Sequence, residues 1–234
     1  VIAIDIDGVI ADSDPWLVKE IEYRSGIKLK FNKPRVYDFF INTNINVFDG
    51  IRYINDAIIK YKDDIKVYDY INTCKALQLI ESKEGCVNFV TARATGRVAE
   101  ATHWWIYKHF GELVYNIHSL DYNADKLKWM YNNNAYAIIE DRLKTVNIVS
   151  SLYDSYLINR EWNINRYNNP RVKRFTNLLQ AVEFYFNKNT EGCMINKKEK
   201  QQNIPKQCKQ CKKDYCPLHC INYKEYKLWE NRSI

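Results

Sequence analysis

The chain reads as short apolar runs that alternate with stretches of helical periodicity. Residues 1–4 (VIAI) form a continuous apolar run, the pattern of a strand buried on both faces. Residues 15–24 (PWLVKEIEYR) have helical spacing, with Asp14 as the expected N-cap, Pro15 in the first turn and Gly26 as terminator. Residues 34–63 carry two further helical patterns, and 67–82 a third that ends near Gly85. The runs CVNFVTA (86–92), LVYNIHS (113–119), AYAIIED (135–141) and SYLIN (155–159) predict four more strands. Helical patterns at 96–110, 125–132 and 143–152 separate them, and another at 176–187 follows the last.

Strands alternating with helices predict an α/β chain with a doubly wound, parallel, Rossmann-like sheet. About 70 residues separate the first two strands, more than a simple crossover needs. They read as a helical cap inserted after strand one, over the carboxyl end of the sheet. The expected organisation is a catalytic core of residues 1–12 and 83–187, a cap of 13–82, a polar linker of 188–207 and a small Cys-rich tail of 208–234.

Charge enters the picture at the strand ends. The first strand delivers Asp5 and Asp7 into a turn at Gly8, and residues two apart on a strand share a face. Buried like charges that close repel, so one takes up a proton or a divalent cation sits beside them. The second strand ends in Thr91, Ala92 and Arg93, with Gly96 ahead of the next helix, which together make an anion seat. Arg93 either reaches the anion or braces the loop. Lys126 stands at the start of the helix before the fourth strand, and that strand ends in Glu140, Asp141 and Arg142. Carboxylates, a hydroxyl, a lysine and room for Mg²⁺ are the parts of phosphoryl transfer. Taken singly, each has a plainer reading: an acidic turn, a capping threonine, a solvated lysine.

In order, DIDGVIADS, FVTAR, Lys126 and IIEDR resemble the four motifs of the haloacid dehalogenase superfamily of phosphohydrolases. The resemblance covers residues 1 to about 186 and is most like the 5'-nucleotidases of the deoxyribonucleotidase type. Two positions depart from that pattern: Glu161 stands where a Pro is expected in LINREWN, and Glu140 where Asp is more usual. The resemblance implies a Mg²⁺-dependent phosphatase of (deoxy)nucleoside 5'-monophosphates. In it Asp5 is the nucleophile and Asp7 the general acid and base, with a raised pKa. Thr91, Ala92, Arg93 and Lys126 bind phosphate. Asp5, Asp141 and the backbone at Asp7 hold the metal, and Glu140 supports them from behind. Trp16, Phe39 and Phe40 of the cap are candidates to stack on a base, against the plainer role of packing the cap.

Composition adds one asymmetry. Residues 187–234 hold eleven Lys/Arg against five Asp/Glu, +6 of the chain's net +7. Tyr215, Tyr223, Tyr226 and Trp229 interleave with those lysines, a mixture that suits nucleic-acid binding or an appendage packed on its own domain. A phosphatase acting on nucleic-acid ends is therefore the second reading. A binding module with a vestigial phosphatase body is the third, and the complete motif set argues against it. No apolar stretch reaches 18 residues, so no membrane partner is expected. Cys74 and Cys86 read as ordinary buried thiols of a reducing, cytoplasmic compartment, and no signal-peptide pattern is seen. Cys208, Cys211, Cys216 and Cys220 crowd into thirteen residues and could close a tetrahedral Zn²⁺ site, hold an iron–sulfur cluster, or remain thiols. If they bind zinc, elemental analysis of the purified chain will give about one zinc per molecule. Four titratable thiols in metal-free protein would exclude the site.

Overall fold

The structure is a computed structural model that describes residues 1–29, 43–120 and 126–191. Phe39, Phe40 and the four tail cysteines lie outside the described residues. The chain divides into two units, Val1–Asn187 and Lys188–Ile234.

In chain order the elements are β1 (Ile2–Ile4), β2 (Ala11–Asp12), α1 (Asp14–Ser25), α2 (Val47–Lys60), β3 (Lys66–Val67), α3 (Tyr70–Glu84), β4 (Val87–Thr91) and α4 (Arg97–Phe110). They continue as β5 (Tyr115–Ser119), α5 (Lys126–Asn132), β6 (Ala137–Glu140), α6 (Leu143–Val149), β7 (Asp154–Ile158), β8 (Val172–Phe175) and α7 (Leu178–Glu191). Six strands form one parallel sheet in the order β5-β4-β1-β6-β7-β8. Numbered along the chain, these strands run 3-2-1-4-5-6, the doubly wound Rossmann order. The apolar first run is central because Ala3 pairs with Asn88 on one side and Ile138 on the other. The topological switch point falls at β1, and Asp5 extends its ladder by donating its N–H to the Ile139 carbonyl at 3.0 Å.

Ile2, Ile4, Phe89, Ile139 and Tyr156 fill the sheet's core together with Trp105 of α4 and Val182 of α7. Ala76, Leu77 and Ile80 of α3 belong to the same cluster, so the sheet's packing takes in a helix that the sequence assigns to the insertion. Helices α1 and α2 make a separate cluster, Leu17, Ala57, Ile58 and Tyr61, seated on Val98 and Ala101 of α4.

Several local expectations change. The helix α1 is preceded at its N-cap position by Ser13, not Asp14, and the Ser13 hydroxyl makes no capping bond because it is used elsewhere. The β2–β3 antiparallel pair has only two residues per strand, too few to show a period. The edge strand β8 (VKRF) escapes notice because Lys173 and Arg174 break its apolar run. Trp104 is 47% exposed, with its indole N–H on Asp63, whereas its neighbour Trp105 is buried. Cys74 and Cys86 are half-buried free thiols.

The Glu20 side chain is fully buried between the two cap helices. It accepts from Arg24 Nε at 2.9 Å and from Lys60 Nζ at 2.7 Å. Burial acts to raise its pKa, but the bonds from Lys60 and Arg24 outweigh it and hold the carboxyl below its ordinary value. A lowered folded-state pKa contributes stability that is present above the unfolded value of about 4.3 and is lost as pH falls through the folded one. Both cations are half exposed, so the worth of the cluster is about 1 kcal/mol. Glu20→Gln will lower stability by that amount at pH 7 in chemical denaturation, and the gap to wild type will close below about pH 4. A gap independent of pH would show that packing, not charge, is what Glu20 supplies.

Candidate active site

The site forms where β1, β4 and β6 end side by side. Beyond β1 the chain turns tightly: the N–H groups of Val9, Ile10 and Ala11 all point to the Ile6 carbonyl, at 2.9–3.3 Å. Gly8 makes this possible with φ +76°, and its missing side chain is equally required. A Cβ there would overlap the Asp141 carboxylate. The turn after β1 thus rests directly on the acidic end of β6.

Asp5, Glu140 and Asp141 are all buried and bring one oxygen each within 4.8 Å of one another. Lys126 Nζ donates to Asp5 Oδ1 and to Glu140 Oε2, both at 2.7 Å. Glu140 Oε1 accepts from the backbone N–H groups of Asp141 (3.1 Å) and Arg142 (3.2 Å). Both Glu140 oxygens are therefore engaged by the protein itself, which gives it a supporting place behind the other two. Asp141 Oδ2 accepts from the Trp162 indole N–H at 2.9 Å, while its Oδ1 is buried with no hydrogen-bond partner.

These carboxyls do not share one charge state. Burial, and then the neighbouring Glu140, drive the Asp5 pKa well up, with Lys126 opposing. Asp141 is raised in the same way by burial, Glu140 and Asp5. For Glu140 burial is outweighed by Lys126 and by its hydrogen bonds, and its pKa falls. Lys126 overcomes its own desolvation through Asp5 and Glu140 and stays charged. With all three ionised, the state a bound cation would favour, three carboxylates against one bonded ammonium would leave two negative charges for one divalent cation to neutralise. Hard carboxylate oxygens, one of them buried and unpartnered, fit Mg²⁺ chemistry. Asp5 and Asp141 are the side chains placed to hold it.

Asp7 reverses an expectation. Its carboxylate lies on Arg93, whose Nε meets Oδ2 at 2.9 Å and whose Nη2 meets Oδ1 at 2.8 Å. Ser13 Oγ adds a bond to Oδ1 at 2.6 Å. Burial works to raise the Asp7 pKa, yet Arg93 and Ser13 prevail and lower it. The resemblance implies a raised value; the fold supplies a buried guanidinium instead. Arg93, expected in the phosphate seat, is 3% exposed, and its Nη1 is spent on Thr102 Oγ1 at 3.2 Å. It braces Asp7. Thr91 is buried at the end of β4 and accepts from the Arg93 N–H at 3.2 Å, and Ala92 is exposed at the rim. Trp16 stacks on Tyr61 with ring centres 4.9 Å apart and takes the Lys19 ammonium at 5.0 Å.

The segment after β7 holds residues whose roles the sequence does not disclose. Arg160 donates to the Gly8 and Val9 carbonyls at 2.5 and 3.1 Å and lies 3.9 Å over the Tyr68 ring. Asn163 Nδ2 donates to the carbonyls of Asp141 (2.7 Å) and Ile158 (2.9 Å). The only hint was the late LINREWN turn noted in the resemblance. Nothing in its spacing shows that it grips both acidic turns at once.

No protein-family model matches the chain, and no curated protein matches it in sequence. Solved structures do match. CbbY from Rhodobacter sphaeroides in complex with phosphate superposes with a TM-score of 0.53 at 10% identity, over 76% of this chain and 94% of that one. A variant of that protein in complex with xylulose-1,5-bisphosphate gives 0.54 at 10% identity, with the same coverage. A haloacid dehalogenase-like family hydrolase from Xanthomonas campestris gives 0.51 at 10% identity, over 82% and 96%. The chain has the haloacid dehalogenase-like fold. In that fold the acidic cage sits at the switch point, where doubly wound sheets bind ligands. At such identities the likeness is one of architecture, and chemistry rests on the residues.

Gly8→Ala tests whether the two acidic turns are locked together. The added methyl meets Asp141 and must also adopt a left-handed φ, so the variant will lose on the order of 1–3 kcal/mol or more of stability, read by thermal or denaturant melting. Wild-type stability would mean that the turn and the β6 end move apart freely.

Proposed function

We propose that the chain is a Mg²⁺-dependent phosphomonoester hydrolase that works through an aspartyl-phosphate on Asp5, with (deoxy)nucleoside 5'-monophosphates as substrates. The observation that carries the reading is the acidic cage: Asp5 bonded to Lys126, beside an Asp141 oxygen that is buried and unpartnered. Bound between Asp5 and Asp141, Mg²⁺ would supply charge neutralisation on the transferring phosphoryl group.

The chain's own residues do the rest. An Asp5 oxygen forms the bond to phosphorus as the ester P–O bond breaks. Lys126, fixed by Asp5 and Glu140, places a permanent positive charge beside the reacting oxygens. The Thr91 hydroxyl and the N–H groups of the loop after β4 offer a seat for the phosphoryl oxygens. Water then cleaves the aspartyl-phosphate, and Asp7, ionised here, is in the right state to take its proton. Protonating the leaving alkoxide in the first step requires Asp7 to gain a proton beforehand, against the pull of Arg93. The nucleotide assignment is supported by the resemblance and by the aromatic content of the cap. Trp16 already has a stacking partner in Tyr61, so base contact falls to its remaining surface or to Phe39 and Phe40.

Asp5→Asn will lower phosphatase turnover by about 10⁴-fold or more while the protein stays folded by circular dichroism, since an amide is no nucleophile. Activity near wild type would overturn the mechanism. A panel of nucleoside monophosphates, sugar phosphates and phosphorylated oligonucleotides, run on the full chain, tests the substrate. Preference for sugar phosphates would remove the nucleotide assignment. The basic segment 187–234 favours nucleic-acid ends as the second reading, which predicts oligonucleotide turnover that falls steeply with salt.

A further inference from the structure

The two oxygens of Asp141 have different fates. Oδ2 lies between the indole N–H of Trp162, at 2.9 Å, and the bare Cα of Gly8, where not even a methyl group fits. Oδ1 is buried and unpartnered, in a carboxylate that brings one oxygen within 4.8 Å of oxygens of Asp5 and Glu140. The backbone of the same residue is tied down as well, its carbonyl held by Asn163 at 2.7 Å. Trp162 itself is 6% exposed, so its ring cannot turn away into solvent.

We propose that Trp162 is a positioning residue for metal binding: its indole N–H pins Asp141 Oδ2 against Gly8 and so presents Oδ1 as the oxygen that takes the divalent cation. The inference rests on the reading that the acidic cage holds Mg²⁺. Indole nitrogen donates only, so the Oδ2 it meets carries no proton. The bond therefore orients the carboxylate. Partners of this kind, which touch a ligand and not the metal, typically govern 10- to 100-fold in metal affinity.

Trp162→Phe removes the N–H and keeps an aromatic ring. Calorimetric titration of the full chain with Mg²⁺ alone will show affinity weaker by about 10-fold or more. Trp162→His, which restores a ring N–H, will recover part of it. A lower melting temperature with unchanged Mg²⁺ affinity would make Trp162 merely structural and overturn the inference. If wild-type protein binds no Mg²⁺, the reading of the cage fails first, and the two failures are thereby distinguished. Should the Phe variant not fold, proton NMR of the wild type decides. A slowly exchanging indole resonance will shift on addition of Mg²⁺ and will no longer do so in Asp141→Asn. No Mg²⁺-responsive indole resonance in protein that binds Mg²⁺ would overturn the inference.

Discussion

The burial of three carboxyls beside a single bonded ammonium governs this structure. Asp5, Glu140 and Asp141 come together at the carboxyl ends of β1 and β6, away from water, with Lys126 bonded to Asp5 and Glu140. A folded chain does not tolerate such a cluster without strict control of every oxygen. That control is visible throughout: Glu140 is saturated by Lys126 and two backbone N–H groups, and Asp141 is fixed by Trp162 and Asn163. What is left over is one buried, unpartnered oxygen beside two further carboxyls, a donor set that suits a small dication.

The same constraint explains why elements far apart in sequence converge. Gly8 has to be a glycine because the turn after Asp5 shares its space with Asp141. Arg160 then holds the carbonyls of that turn, and Asn163, three residues on, holds the carbonyl of Asp141. One short segment after β7 thus sets the spacing between the two carboxylate-bearing turns. The apolar strands bring the ends to one rim, and hydrogen bonds to backbone carbonyls set the final distances.

Much of this was legible in the sequence wherever a period or a strong residue type spoke. The central strand, the alternation that yields a parallel sheet, and the convergence of Asp5, Lys126, Glu140 and Asp141 all follow from apolar runs that end in charge. The placing of Glu140 behind Asp141 agrees with its saturated oxygens. What was not legible lacks periodicity. Strands β2 and β3 are too short, β8 is broken by Lys173 and Arg174, and Trp162 with one side-chain bond and Asn163 with two carbonyl bonds act in ways that no spacing encodes. Helix α3 looks like part of the insertion by position, but its buried face packs into the sheet's core.

Asp7 is the place where residue type misleads. A carboxyl two residues from the nucleophile, in a buried turn, suggests a raised pKa by desolvation alone. The outcome depends on Arg93, 86 positions away, which delivers a bidentate, charge-assisted pair. Arg93 is itself fixed by Thr102 of α4, and Ser13, the other partner of Asp7, stands at the head of α1. Helices α1, α2 and α4 share a single apolar cluster. The lowered pKa of Asp7 thus depends on partners carried by α1 and by the segment leading into α4. A change in how α1 rests on α4 would alter the Ser13 and Arg93 bonds together, and with them the readiness of Asp7 to accept or release a proton.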